Sequence, residues 1–179
     1  MKKSFFGAVF IYSLFIISAK GGPVSGGHYS FTSLAYAAGE FSPSYDVVYQ
    51  VLETGKTLVT QNVALTNKTP NFYATEYTLT LGTTQIKNIA AFDGVGPILE
   101  KVIRADDITT IHLVFNEKVA GIGNTLKWKL TYESDDVAQK NGLVWEINTP
   151  RLAETTEIET YNLTLSVPVA FRDLLYIFP

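Results

Sequence analysis

Histidines are the first side chains to consider for chemistry, and the 179-residue sequence contains only two, His28 and His112. His112 stands between Ile111 and Leu113 on the polar side of an alternating stretch, so we interpret it as a solvent-facing strand histidine. Catalysis or metal binding by an imidazole needs partners, and the sequence names none. The sequence has no cysteine, which excludes a thiol nucleophile, a disulfide framework and a thiolate metal site.

Two pairs of neighbouring carboxylates, Asp106-Asp107 and Asp135-Asp136, are the next candidates. Loop carboxylates at one end of a sandwich can ligate calcium, and a hydrolase could use acids of the Glu133–Asp136 loop. Both pairs lack the dense alternation of a calcium-binding loop, so we interpret them as turn-forming, solvated carboxylates. Motifs of serine hydrolases, zinc proteases and phosphate-binding loops are missing. We therefore predict a non-enzyme with no catalytic residue, no metal site and no cofactor.

Weaker functional signals come from two asparagines and two tryptophans. Asn67-Lys68-Thr69 and Asn162-Leu163-Thr164 match the N-glycosylation acceptor, a short pattern that also arises by chance. Trp128 and Trp145 lie on the apolar faces of alternating stretches, which favours core packing over a ligand platform.

Alternation of apolar and polar residues is the dominant pattern, and Lys56–Thr69 shows it well. Val59, Val63 and Leu65 share one face there, and Gln61 interrupts that face. Six segments alternate clearly and two or three more do so weakly, with turn signals between them. The candidates are Asp46–Leu52, Lys56–Thr69, Thr75–Gly82, Gln85–Phe92, Ile98–Arg104, Thr109–Phe115, Thr125–Tyr132, Leu143–Ile147 and Tyr161–Val167.

The alternation also assigns side chains to faces. The apolar sets predicted to share a face are Val47, Tyr49 and Val51; Tyr77, Leu79 and Leu81; Ile111, Leu113 and Phe115; Leu126, Trp128 and Leu130; Leu143, Trp145 and Ile147; and Leu163, Leu165 and Val167. In the weak segment Gln85–Phe92, Ile86 and Ala90 are expected to lie opposite Ile89 and Phe92. The acidic stretch Glu133–Gly142 is expected to be polar, with a turn at Asn141-Gly142.

Short strands separated by turn signals predict an all-β protein, an immunoglobulin-like antiparallel β-sandwich preceded by an N-terminal hydrophobic signal helix. One-sided alternation means that each sheet buries one face, and two such sheets would pack face to face. Residues 38–179 are expected to form a single β-sandwich domain. The apolar end of the sequence suggests that this domain is truncated.

The first 37 residues are interpreted as a signal peptide, or a signal anchor, plus a flexible tether. A basic head, Met1–Lys3, precedes the uncharged apolar run Ser4–Ala19, as in secretory signals. Cleavage after Ala37 is favoured, and an uncleaved anchor with a Gly21–Gly27 tether is the alternative. The domain is thus expected outside the cytoplasm, at the cell envelope or beyond, touching the membrane only through its N-terminal segment. The net charge of −3 argues against a nucleic-acid partner.

Four stretches carry a resemblance to a known group of proteins. They are Tyr45–Tyr49, Asn62–Asn67, Phe72–Tyr77 and Asp136–Ile147. Together they resemble the N-terminal β-sandwich module of exported bacterial proteins of the transglutaminase-like superfamily, especially those of candidate-phylum bacteria.

The resemblance implies a catalytic Cys, His and Asp constellation downstream of the module. This chain has no cysteine, so the activity does not carry over to it. The expectation is a non-catalytic extracytoplasmic module that positions a downstream domain at the cell envelope. The alternative is a stand-alone adhesion or binding module for envelope polymers or proteins, because sandwich loops are common binding sites.

Overall fold

The computed structural model describes residues 16–21, of which only the backbone is described, together with residues 39–149 and 158–171. Within these ranges the chain is all-β, and its one helical element is a short 3₁₀ helix at Val169–Phe171. The strands are β1 (Ile16–Gly21), β2 (Phe41–Val51), β3 (Thr57–Asn67), β4 (Phe72–Leu81), β5 (Ile86–Asp93), β6 (Leu99–Ala105), β7 (Ile108–Val114), β8 (Thr125–Ser134), β9 (Ala138–Asn141), β10 (Val144–Ile147) and β11 (Thr160–Ser166).

The described strands form three sheets. A five-stranded sheet has the order β11-β2-β3-β8-β5, a four-stranded sheet has the order β1-β4-β7-β6, and β9 pairs with β10 in a separate hairpin. Neighbouring strands are antiparallel throughout, except that β11 runs parallel to β2. The predicted hairpin of β2 and β3 is confirmed, with Val51 opposite Thr57 beside the turn.

Inward-facing residues of the two larger sheets share one hydrophobic core. The apolar faces predicted for β2, β3, β4, β7 and β8 are confirmed, because alternate side chains of an extended strand point to the same side. The rings of Tyr77 on β4 and Trp128 on β8 meet at 4.8 Å, and Phe115 lies 5.9 Å from Trp128 on another side. Aromatic side chains therefore connect the two larger sheets across the core.

Two hydrogen bonds between side chains lie inside the core. The hydroxyls of Tyr45 and Tyr77 lie 2.7 Å apart, which joins the two sheets. Gln61, which interrupts the apolar face of β3, is buried and donates to the Tyr132 hydroxyl at 3.4 Å. Burial raises the pKa of Tyr45 and of Tyr77, so both phenols stay neutral and can donate hydrogen bonds.

The faces predicted for β5 are right for Ile86 and Phe92 but wrong for Ile89 and Ala90, because the strand contains a bulge. Its register with β8 shifts between Lys87 and Ala90, and Asn88 adopts a φ of 52°. An extra residue reverses the alternation beyond it. As a result Ile86 and Ala91 are buried, whereas Ala90 is only half-buried.

The acidic stretch after β8 contains more structure than expected. Strand β8 continues through Ser134, and β9 follows within the stretch that was predicted to be polar. The turn predicted at Asn141-Gly142 is confirmed, with Gly142 at a φ of 66°. Leu143 belongs to this turn and is 99% exposed, so its predicted place on an apolar face is wrong.

Strand β11 departs most from the prediction. It lies parallel to β2 at the edge of the sheet, where an antiparallel strand was expected. Leu163, Leu165 and Val167 are 39%, 41% and 44% exposed, so the predicted burial of this face is wrong. Only Tyr161 of this face reaches the core, with its ring 6.1 Å from that of Tyr45. The remaining side chains of this face lie outside the hydrophobic core, so they stay partly exposed.

Most of the N-terminal prediction falls outside the described residues, including the tether, the cleavage site and most of the apolar run. The structure places Ile16–Gly21 as β1 beside β4, with Ile17 opposite Tyr77. Among the described residues, no helix has the length and apolar character that crossing a membrane requires.

Candidate functional site

An open groove of about 570 Å³ runs over the outer face of the five-stranded sheet. Alternation along each strand places one side chain per strand at the same level of this face. The pairing registers join Asn162 to Asp46, Asp46 to Asn62, Asn62 to Lys129 and Lys129 to Phe92. We call these five residues the polar row.

The polar row crosses all five strands of the sheet. Strands lie about 4.8 Å apart, so four spacings give the row a length of roughly 19 Å. Beside it runs a second line, in which Ser44, Ala64 and Lys127 are paired across β2, β3 and β8. The side chain of Ala64 is short and projects little from the sheet, so the middle of this line forms the floor of the groove.

The side chains of the polar row are available to a ligand. All five are exposed. Within the described part of the chain, Asp46, Asn62 and Asn162 make no side-chain hydrogen bond. The Lys129 ammonium lies 5.5 Å from the centre of the Phe92 ring, a cation–π contact at the end of the row. The row thus offers a carboxylate, two amides, an ammonium and an aromatic plane.

Asp93 lies at the end of the groove but has a structural role. Its carboxylate accepts backbone N–H bonds from Asn116 at 2.7 Å and Glu117 at 3.1 Å, and from Val95 at 3.0 Å and Gly96 at 3.1 Å. Burial alone would raise the pKa of Asp93, but these four donors outweigh it and the pKa lies below its usual value. Asp93 therefore joins the β5–β6 turn to the loop after β7.

A second feature fixes the chain where it leaves β11. The rings of Trp145 and Phe171 stack at 4.3 Å with an angle of 6° between their planes. Gly55, in the β2–β3 turn, has a φ of 88°, and a Cβ added there would meet Trp145 at 2.7 Å. Only glycine fits this approach. We call Gly55, Trp145 and Phe171 the exit clasp, because it holds the segment after β11 against the body of the protein.

The two tryptophans therefore have different roles. Trp128 is 3% exposed and packs in the core as predicted. Trp145 is half-buried and lies in the exit clasp, with the Lys140 ammonium 6.0 Å from its ring, so the prediction of core packing is wrong for this residue.

His112 faces outward from the four-stranded sheet, as predicted, and the structure supplies the partners that the sequence could not name. Its Nδ1 lies 3.0 Å from the Thr78 hydroxyl, and its Nε2 lies 3.2 Å from a carboxylate oxygen of Glu76. Thr78 on β4 is directly opposite His112 on β7, and Glu76 lies two residues before Thr78 on the same strand. All three side chains are half-buried on the outer face of the four-stranded sheet.

The acids of the Glu133–Asp136 loop are occupied by local partners. Lys56 donates to Glu133 at 2.8 Å, Lys87 donates to Asp135, and the Ser134 hydroxyl donates to Asp136. The hydrogen bonds from the lysines hold the pKa of Glu133 and of Asp135 below the usual values, which makes both poorer general bases.

The second acidic pair, Asp106-Asp107, forms the turn between β6 and β7, with Asp106 at a φ of 52°. Among the described residues, no group of three or more His, Cys, Asp or Glu side chains is placed to hold a metal ion.

The asparagines of the two glycosylation patterns lie in different environments. Asn67 is 1% exposed, and its carbonyl oxygen accepts bonds from the backbone and hydroxyl of Thr69, both at 2.8 Å. Its amide is enclosed in the folded chain, where it shapes the turn after β3. Asn162 is exposed and belongs to the polar row.

Reasoning from the sequence missed the polar row as a unit. The alternation of β3 and β8 did place Asn62 and Lys129 on polar faces, but which residues stand side by side depends on strand order and register. No protein-family model matches the chain, and comparison with curated proteins found no match.

Proposed function

We propose that this protein is a non-catalytic, extracytoplasmic β-sandwich module that positions a following domain of the same polypeptide at the cell envelope. The observation that carries this proposal is the exit clasp. A segment that leaves a sandwich through a stacked aromatic pair keeps a fixed direction relative to the sandwich, whereas a flexible linker samples many directions.

The pairing of β11 with β2 supports the same role. Seven residues of β11, Thr160–Ser166, are in parallel register with Ser44–Gln50. The chain therefore reaches the exit clasp along a strand that is hydrogen-bonded to the sheet. The immunoglobulin-like form of the sandwich is part of this proposal, supported by two sheets that share one core.

Export and the absence of catalysis are inferred from different observations. The basic head and apolar run of the first 19 residues support export through a signal segment. The lysine and serine partners of the acids in the Glu133–Asp136 loop favour a structural role for these acids over turnover. The resemblance to the transglutaminase-like superfamily supports a downstream enzyme domain.

The reading frame of the gene beyond the codon for Pro179 tests this proposal. We expect the frame to continue into a domain that carries a Cys followed by His and Asp. A stop codon directly after Pro179 would remove the domain that this protein is proposed to position.

The alternative function is a binding module for envelope polymers or proteins, and the groove on the five-stranded sheet favours it. Among the groove residues, the exposed side chains of Asp46, Asn62 and Asn162 make no hydrogen bond within the described part of the chain. A shift of the melting temperature on adding an isolated envelope polymer would support this function, provided that replacing a groove residue abolishes the shift.

A further inference from the structure

We infer that the groove binds an uncharged oligosaccharide, laid across the strands along the polar row. This inference rests on the binding role proposed as the alternative function, and it does not depend on the positioning role of the exit clasp. The ligand class follows from the side-chain chemistry of the row, its length and its charge.

Hydrogen bonding is the first argument. Asp46 and Asn62 are directly opposite each other on β2 and β3, and Asn162 is opposite Asp46 on β11. Opposed residues on one sheet face have Cβ atoms about 5 Å apart. Neighbouring hydroxyls of a sugar ring can each donate to a carboxylate and accept from an amide, so this triplet can bind one ring through several hydrogen bonds.

The aromatic end of the row is the second argument. Phe92 is 39% exposed, an unusual position for a large apolar ring on the polar face of a sheet. A sugar ring has an apolar C–H face that packs on an aromatic plane. Lys129, 5.5 Å from the ring centre, can donate to the hydroxyls at the rim of that sugar. The row therefore combines a hydrogen-bonding end with a stacking end, within roughly 19 Å.

Charge excludes polyanions as the preferred ligand. Asp46 and Asp93 balance Lys127 and Lys129 among the residues that line the groove. Nucleic acids and acidic polysaccharides need a basic face, because their affinity comes from neutralised charges. The ligand that fits this groove is rich in hydroxyls and carries no net charge.

The position of the groove excludes a peptide that binds by adding a strand to the sheet. The groove lies on the face of the sheet, where the backbone groups of β2, β3 and β8 are already paired with one another. A peptide that adds to a sheet needs a free strand edge. A ligand on this face must bond to side chains, as a sugar does.

Calorimetric titration of the full chain with neutral hexasaccharides tests the inference. The probes are cellohexaose, mannohexaose, xylohexaose and chitohexaose. We expect at least one to bind, and Asn62→Ala and Phe92→Ala each to weaken that binding by about tenfold or more. Lys101→Ala, on the outer face of the four-stranded sheet, is the matched control and should leave binding unchanged. Circular dichroism and melting temperature verify that each variant is folded.

Three results would overturn the inference: binding of none of the four probes, equal binding by the groove variants and the wild type, or stronger binding of a polyanion such as dextran sulfate. If an envelope polymer or protein binds through the groove while the neutral sugars do not, the binding role stands and its ligand class is different. If Asn62→Ala does not alter the binding of any tested ligand, the proposed binding role of the groove is wrong as well. Neither result bears on the exit clasp.

Discussion

Strands β3 and β11 both alternate apolar and polar residues and belong to the same five-stranded sheet, but their apolar faces lie in different environments. In β3, Val59, Val63 and Leu65 are at most 2% exposed. In β11, Leu163 and Leu165 occupy the same alternating positions and are about two-fifths exposed. β3 has neighbours on both sides, whereas β11 lies at the edge and is parallel to β2 alone. Alternation therefore identifies the inward face of a strand, and what packs against that face decides how well it is covered. Strand β5, the other edge, buries Ile86 and Ala91, whereas β11 contributes only Tyr161 to the core.

The largest effect is expected at the centre of the sheet. Leu65→Ala should lower the free energy of unfolding by about 2–5 kcal/mol, because a fully buried leucine leaves a cavity. Urea denaturation followed by tryptophan fluorescence measures this loss. Leu163→Ala on β11 is the matched variant, and an equal loss there would show that the edge is as tightly packed as the centre.

Strand β5, the opposite edge of the same sheet, is anchored by a carboxylate. Asp93→Asn removes one acceptor oxygen and the charge from a group that receives four backbone N–H bonds. We expect a loss of about 1–3 kcal/mol in the free energy of unfolding at pH 7, since donors in the two loops lose their partner. Asp46→Asn, an exposed change on the same sheet, should be close to neutral.

The pH dependence sharpens this prediction. The pKa of Asp93 is depressed in the folded chain, so its stabilisation is complete above the unfolded value of about 3.9 and is lost as the pH falls through the folded pKa. Unfolding measured between pH 7 and pH 2.5 should show the Asp93→Asn variant approaching the wild type at low pH. A constant difference across this range would mean that the charge of Asp93 is irrelevant.

The smallest effect is expected on the exposed face of β11. Leu165→Thr should change the free energy of unfolding by about 0.5 kcal/mol or less, because the side chain is already 41% exposed and threonine suits a strand. Chemical denaturation again measures the change. A loss above 2 kcal/mol would indicate that this face is covered in solution.

The local part of the fold could be predicted from the sequence. The inward faces of β2, β3, β4, β7 and β8 follow from a period of two, which needs no knowledge of neighbouring strands. The bulge at Asn88 could not be predicted, because a positive φ at a non-glycine residue leaves no reliable pattern. The parallel pairing of β11 depends on contacts between residues more than a hundred positions apart.

The candidate site shows the same division between local and distant information. Alternation placed Asn62 and Lys129 on outward faces, so the polarity of the groove was visible in the sequence. Its continuity arises from three further registers that bring Asn162, Asp46 and Phe92 into the same row. The exit clasp was hidden for a related reason, since Gly55, Trp145 and Phe171 come from three separate parts of the chain.

The central claim is that the exit clasp fixes the direction of the chain after β11. The wild type has no cysteine, so Lys101→Cys on β6 and Asp173→Cys, two positions after Phe171 in the sequence, give two unique spin-label sites. Pulsed electron paramagnetic resonance then measures the distribution of distances between the two spin labels. We predict a narrow distribution that broadens when Trp145 is replaced by alanine. A distribution that is equally broad with and without Trp145 would contradict the proposed positioning role.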